Sequence, residues 1–339
     1  MPKKILAVFD IPEPPPEDGD YSYYLKSKDW EDEADVIEAL EANGHEVAIA
    51  GVFQDLKPLW QSVQQFEPQL IFNMCETFAN RRDQEVNLVG FYELLGIPYT
   101  GAGPEALRIC RDKSLSKKIL SYHRIRIPRF DTSLRRRPKK TLASNMIYPA
   151  ICKPVDREGS EGISSTSLVK NQQEALDRVQ YIHHKLKADA IVEEFISGQE
   201  IYMGVMGNER LTVLPPRQLF FRKVEDTTQA FYTYKAKWDE KYRSKWGIES
   251  GPSENLDATQ LTHLKRVAAK IYRLFQLKGY ARIDFRVKES GDIVFLEANP
   301  NAGISQTEEF AMAAEENGMS YEALIDHIVN LGLRAAKAS

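Results

Sequence analysis

Cysteine is scarce in this chain: Cys75, Cys110 and Cys152 are the only three in 339 residues, widely spaced and without a Cys-x-x-Cys pair. That excludes a disulfide framework and a structural zinc site, and it fits a reducing compartment. No apolar run approaches the roughly 20 residues that span a bilayer, so no membrane partner is expected. The first ten residues hold two lysines and six apolar residues before an acid. That is too short for a signal peptide, and the segment reads as a first strand of a cytoplasmic protein. An excess of positive charge is missing too: 45 Lys and Arg stand against 49 Asp and Glu, a net charge of -4. Nucleic acid is therefore not an expected partner. Neither the GxxxxGK[ST] phosphate loop nor GxGxxG occurs, and no local Ser/His/Asp or Cys/His signature marks a nucleophile. His123, His183, His184 and His263 have no ligand-like neighbours and read as surface or packing residues.

What is present is ordinary for a globular protein, with 42% hydrophobic and 28% charged residues. At about 150 residues per folding unit, the length predicts two to three units. Over the first 100 residues, apolar strand-like runs at 4–9, 46–50 and 70–73 alternate with helical patterns near 30–43, 56–65 and 84–95. This alternation predicts a parallel sheet with flanking helices, and ligands gather at the carboxyl ends of such strands, where Asp10, Asn73 and Glu76 fall. A helical stretch at 104–122 leads through a basic loop, 135–140, to a strand at 150–153. A helix at 172–185 and a strand at 190–194 follow, then a strand-rich segment over 200–221. Residues 222–256 are polar, aromatic and basic, long enough for a lid. A helix at 261–276 precedes a hairpin over 280–298, turned by Ser290-Gly291, and helices at 307–316 and 321–333 finish the chain.

Three clusters carry candidate chemistry. In Ala281-Arg-Ile-Asp-Phe285 and Leu296-Glu-Ala-Asn299, Asp284, Glu297 and Asn299 can point to one face of an antiparallel pair. These hard oxygen donors suit Mg²⁺ on nucleotide phosphates, and Arg282 projects from the same face; a solvated polar face is the plainer alternative. Lys153 ends an apolar strand, before a loop, Arg157-Glu-Gly-Ser-Glu-Gly162, whose N–H groups can meet phosphate. Such a loop is more often only a turn. In Val192-Glu-Glu-Phe-Ile-Ser-Gly-Gln-Glu200, a strand edge can pair with a base and an acid with ribose, although by itself the pattern is unspecific and solvated acids are its default reading.

The order of these clusters carries more than any one of them. Leu94-Leu-Gly-Ile-Pro-Tyr-Thr-Gly101, Arg111-Asp-Lys113, Lys153-Pro154, Val192-Glu-Glu-Phe195, Tyr234-Lys-Ala-Lys-Trp238 and the two hairpin motifs together resemble the D-alanine–D-alanine ligase branch of the ATP-grasp superfamily. The resemblance covers about residues 70–325. It implies an α/β chain (α+β overall), an ATP-grasp fold behind a parallel-sheet N-terminal domain. The division is 1–100, 101–193 and 194–339, with a lid over 222–246.

It further implies ATP and two Mg²⁺ ions, with Mn²⁺ as an alternative, and small-molecule carboxylate and amine substrates. Lys113 and Lys153 match the phosphate-binding lysines. Glu193, Glu194 and Ile196 match the adenine hinge, and Glu200 the ribose acid. Lys237 matches the lid lysine, and Asp284, Glu297 and Asn299 the metal ligands. Arg282, Ser160 and Lys237 are the catalytic candidates. Glu76, Gly303, Glu308 and Glu309 are the substrate candidates. The expected reaction is amide formation through an acyl phosphate. Oligomeric state stays open, a homodimer being one option.

The departures concern the substrate ends. A proline-rich acidic segment, 11–29, replaces the family's first glycine-rich loop. The donor loop is Gly159-Ser-Glu-Gly162, one residue shorter than usual and carrying an acid, and Trp238 stands for the lid tyrosine. Glu308, with Glu309 beside it, occupies the place of the serine that holds the second D-alanine's carboxylate. The expectation is an acceptor other than D-alanine, a cationic amine facing both acids; a rotated helix with both acids solvated is the alternative. A D-alanyl ligase with unusual contacts and a non-catalytic ATP-binding module are the rival functions.

Overall fold

The computed structural model describes residues 1–157, 161–223 and 239–338. Strand β1 (Lys4–Asp10) is apolar through its middle because it lies inside a parallel sheet, between β2 (Glu46–Val52) and β3 (Leu70–Asn73). Its side chains alternate: Leu6 and Val8 enter one core, while Ile5 packs with Leu40 and Phe72 on the other face. Parallel neighbours need crossovers, supplied by the helices Glu31–Ala42 and Lys57–Phe66. The helix Glu85–Leu95 stops at Gly96, whose φ of 66° is the left-handed conformation a helix terminus uses. The last helix, Tyr321–Ala338, returns to this sheet. Leu324, Ile325 and Ile328 join the core of Ile5, and Asn43 Nδ2 donates to the Glu322 carbonyl at 2.8 Å.

The helical stretch expected over 104–122 is two helices, Pro104–Arg111 and Lys113–Tyr122. Asp112 breaks it, leaving helical geometry at ψ 94° and capping the second helix, where its carboxylate accepts from the N–H groups of Ser114 and Leu115, both at 2.9 Å. The second sheet contains β4 (Phe130–Ser133), β5 (Ala150–Pro154), β6 (Leu168–Val169) and β7 (Ala190–Glu194), antiparallel in the order β4-β7-β5-β6. β4 was not legible in the sequence, since four residues with alternate polar side chains give too short a period. The helix expected over 172–185 runs from Gln172 to Tyr181 and then widens into a π-turn over Ile182–Leu186.

The third sheet comprises β8 (Gln199–Gly207), β9 (Leu211–Val213), β10 (Arg217–Phe221), β11 (Ile248–Pro252), β12 (Tyr280–Val287) and β13 (Ile293–Pro300). Its order is β11-β10-β8-β12-β13, with β9 also paired to β8. Of the expected lid, 224–238 lies outside the described residues. Its end, Glu240–Trp246, is a helix that leads into β11 and so back to β10.

One irregularity in this sheet builds the site. The β12–β13 register pairs Asp284 with Glu297 but Phe285 with Phe295, so Leu296 is an extra residue, a β-bulge. A bulge inverts the alternation of side chains beyond it. Ile293 and Phe295 therefore face the core with Ile283 and Phe285, while Glu297 and Asn299 emerge opposite Asp284 and Arg282.

Candidate functional site

The second and third sheets face each other across a cleft lined by Lys153, Glu193, Glu194 and Ile196, with Glu200, Arg282, Asp284, Glu297 and Asn299 opposite. Most residues singled out for nucleotide and metal thus share one wall system. Lys113 joins at the edge, its Nζ 3.7 Å from Glu297 Oε2 and donating to the Arg157 carbonyl. Ser160 and Lys237 lie outside the described residues, as do Gly159 and Trp238.

Glu193 sits at the centre, 3% exposed, with Lys117 Nζ 2.9 Å from one carboxylate oxygen and Lys153 Nζ 2.9 Å from the other. Burial pushes its carboxyl up, but the two ammonium groups pull it down to about 2, so it is ionised. Lys117 is fully buried and also donates to the Leu296 carbonyl at 2.7 Å. The bulge residue, left without a ladder partner, is thereby satisfied from the helix Lys113–Tyr122. Burial lowers Lys117 to about 8, against the attraction of Glu193. Lys117 was missed in the sequence, although it stands four residues after Lys113 and shares its helix face.

Across the cleft, Arg282 donates to both oxygens of Asp284, Nε at 2.8 Å and Nη2 at 3.1 Å, and stacks 4.8 Å over the Tyr202 ring. Asn299 Nδ2 donates to Asp284 Oδ2 at 3.0 Å. Burial raises Asp284 to about 6, opposed by Arg282 and reinforced by the charges of Glu297 and Glu200. Glu200 pairs with Arg286 at 2.6 Å and accepts from the Tyr202 hydroxyl at 3.0 Å. Arg286 and Tyr202 also escaped the sequence reading, although Arg286 repeats the two-residue period of Arg282 and Asp284.

The chemistry of this donor set fits a divalent cation. Asp284, Glu297 and Asn299 offer oxygens, three hydrogen bonds leave the Asp284 carboxylate with acceptor capacity, and among the described residues Glu297 makes a long contact to Lys113. Among the described residues no group of three or more His, Cys, Asp or Glu gathers as a metal cluster; this set has two carboxylates and an amide.

A second cleft adjoins the first and shares Arg282 and Asn299 with it. Asp10, Glu33, Glu76, Gly303 and Glu308 are on its walls. Asp10 accepts from the N–H groups of Glu76 at 2.7 Å and Thr77 at 3.2 Å, and from the Thr77 hydroxyl at 2.6 Å. Glu76 pairs with Arg82 at 2.5 Å. Burial, with Asp32, Asp10 and Glu76 nearby, lifts Glu33 to about 8; nothing in the local sequence signals this group.

The expectation that Glu308 and Glu309 both face the substrate is corrected on one side. Glu308 lines the cleft. Glu309, one residue on in the helix Glu309–Glu316, turns about 100° away and ion-pairs with Arg217 Nε at 2.7 Å. Arg217, 3% exposed, also holds Glu316, so this helix is anchored to the start of β10.

Known proteins share this fold. The family described as D-ala D-ala ligase C-terminus matches residues 119–330, more than half of the chain. An uncharacterized protein of Sinorhizobium fredii is 27% identical over 307 residues, covering 88% of this chain and 86% of its own length. The D-alanine–D-alanine ligase of Aquifex aeolicus is 29% identical over 297 residues, covering 87% of this chain and 92% of its own length. Among solved structures, the D-alanine–D-alanine ligase of Bacillus anthracis complexed with ATP matches with a TM-score of 0.74 at 20% identity, over 99% of both chains. The VanG D-Ala:D-Ser ligase of Enterococcus faecalis gives 0.71 at 21% identity, over 98% of this chain and 100% of its own. No helix of the described residues is long and apolar enough to cross a membrane. The chain belongs to the D-ala D-ala ligase family and is an ATP-grasp ligase, ATP-dependent, ADP-forming and making carbon–nitrogen bonds.

Proposed function

We propose that the protein joins a small carboxylate to an amine through an acyl phosphate, and that the amine is not D-alanine. The observation that carries this is the junction of the two clefts at Arg282 and Asn299, where a nucleotide's terminal phosphate and a second substrate can meet. The division 1–100, 101–193 and 194–339 gives each part a share: the first and third border the second cleft, and the second and third enclose ATP.

Lys113 and Lys153 hold the ATP phosphates, Glu193, Glu194 and Ile196 form the edge for adenine, and Glu200 accepts from ribose. Lys237 and Ser160, which lie outside the described residues, are the further candidates for contact with the phosphates. Asp284, Glu297 and Asn299 would hold Mg²⁺, which would supply neutralisation of the phosphate charge. The substrate carboxylate attacks the γ-phosphorus, the bond to ADP breaks, and an acyl phosphate forms. The amine then attacks the acyl carbon, losing a proton, and inorganic phosphate leaves with the electrons of the carbon–oxygen bond. Arg282 faces the oxyanion of that step, preset by Asp284 so that little reorganisation is required.

The acceptor reading rests on charge. A carboxylate brought within about 4 Å of Glu308 is repelled by about 4 kcal/mol at an intermediate dielectric. With Glu309 tied to Arg217, the acids on the cleft walls include Glu308, Glu76, Asp29 and Glu31. A panel of amines assayed for ATP-dependent ADP release tests this. Cationic amines are expected to stimulate release most; D-alanine as the best acceptor contradicts the altered specificity, and release indifferent to every amine indicates a non-ligating ATP-binding protein.

A further inference from the structure

The loop that follows β13 turns three successive backbone N–H groups toward carboxylates of the chain itself. Asp32 accepts from Ile304 N at 3.2 Å and from Ser305 N at 2.7 Å, and Asp35 accepts from Gln306 N at 2.8 Å. Adjacent N–H groups converging on one carboxylate are how a loop holds an anion. Here the anion arrives from the first turns of the helix Glu31–Ala42, some 270 residues away in sequence. Gly303 permits the approach: a Cβ there would sit 3.1 Å from Asp32 Oδ2 and 3.2 Å from Glu308 Cδ.

This loop faces the second cleft, which also contains Gly303, Ser305 and Glu308. An acceptor with a carboxylate beside its amine would need an anion partner there. The N–H groups of Ile304, Ser305 and Gln306 are taken, and the cationic side chains on the walls are engaged too, Arg282 by Asp284, Arg82 by Glu76 and Lys28 by a partner of its own, which leaves neutral donors such as Asn301 Nδ2. A desolvated carboxylate without a partner is strongly disfavoured. An ammonium group, in contrast, finds the Glu308 carboxylate on the same walls, together with Asp29 and Glu31.

We propose that Asp32 is a specificity-determining residue: its carboxylate fills the N–H pair of Ile304 and Ser305, so the cleft accepts an amine of the diamine class, without a carboxylate next to the nitrogen. This deepens the ligase reading above and rests on it. Asp35 supports the same loop one residue further on, and Gly303 is required for the fit.

Calorimetric titration of the protein with ADP and Mg²⁺, then with putrescine or ornithine, tests the proposal, since ornithine adds an α-carboxylate to the same diamine. The wild type is expected to bind putrescine more tightly. Asp32→Ala frees both N–H groups and is expected to shift the affinity ratio toward ornithine by roughly tenfold or more, the scale of hydrogen bonds to a charged group. Asp32→Asn keeps one acceptor oxygen and is expected to shift the ratio less, in the same direction; it carries the test if the alanine variant does not fold. A wild type that prefers ornithine, or that binds neither amine, overturns the proposal, as does a ratio unchanged in the folded variants. Failure to bind ADP at all contradicts the ligase reading, and the proposal with it; an unchanged ratio in a protein that binds ADP contradicts the proposal alone.

Discussion

Asp284→Ala is expected to lower amine-dependent ADP release by roughly a hundredfold to a thousandfold or more, the range for removing one preorganised electrostatic group from an active site. Asp284 fixes Arg282 through two hydrogen bonds, receives a third from Asn299, and is one of the proposed metal ligands. Without it, Arg282 is a partly buried guanidinium no longer held in place, and the wall of the cleft loses a negative charge. Lys153→Ala is expected to lower release comparably, because Lys153 is buried at the cleft between Glu193 and the site of the phosphates. Steady-state assays on folded variants decide, with Asp284→Asn as the isosteric control. Undiminished release in either variant contradicts the placement of ATP in this cleft.

Replacing Glu193 by alanine is expected to cost about 3–5 kcal/mol of stability, the usual result of removing one member of a buried ion pair. The carboxylate neutralises two ammonium groups, one of them, Lys117, wholly buried. Denaturant unfolding measures the loss, and the double variant Glu193→Ala/Lys117→Met is expected to regain part of it by removing a stranded charge. The pH dependence has a definite sign. Glu193 is lowered from 4.5 to about 2 in the folded chain, so its contribution is present above pH 4.5 and disappears as pH falls toward 2. That contribution is about 3 kcal/mol at 1.36 kcal/mol per pH unit. The alanine variant is therefore expected to show a correspondingly flatter acid limb. Equal stability of variant and wild type at pH 7 contradicts the role assigned to Glu193.

The sequence was most legible where the governing contacts are local. Alternation and helix spacing placed the parallel sheet, the hairpin over 280–298 and most helices, because periodicity records which face is buried. Asp284 and Arg282 were readable as neighbours on one face for the same reason. Glu297 and Asn299 also reached that face, but strict alternation would have put Phe295 beside them. The bulge at Leu296 separates them, and a bulge has no composition of its own. Asp112 was visible as a residue but not as a helix break, since a cap inside a continuous helical pattern differs from it only in backbone angle. Glu309 was placed wrongly because its partner, Arg217, stands 92 residues earlier on another element. Glu33 and Asp32 were unreadable for a similar reason: their environment comes from β1, the loop at 76–77 and the loop at 303–306, which meet only in the folded chain.

The central claim is amide formation through an acyl phosphate, and the transfer of a carboxylate oxygen tests it most directly. The protein would be incubated with ATP, Mg²⁺, a library of amines and a library of carboxylates labelled with heavy oxygen, and the products identified by mass spectrometry. The account predicts an amide together with ADP, and inorganic phosphate carrying one labelled oxygen from the carboxylate. ADP and unlabelled phosphate without an amide, or a phosphorylated substrate that accumulates without ligation, would contradict it.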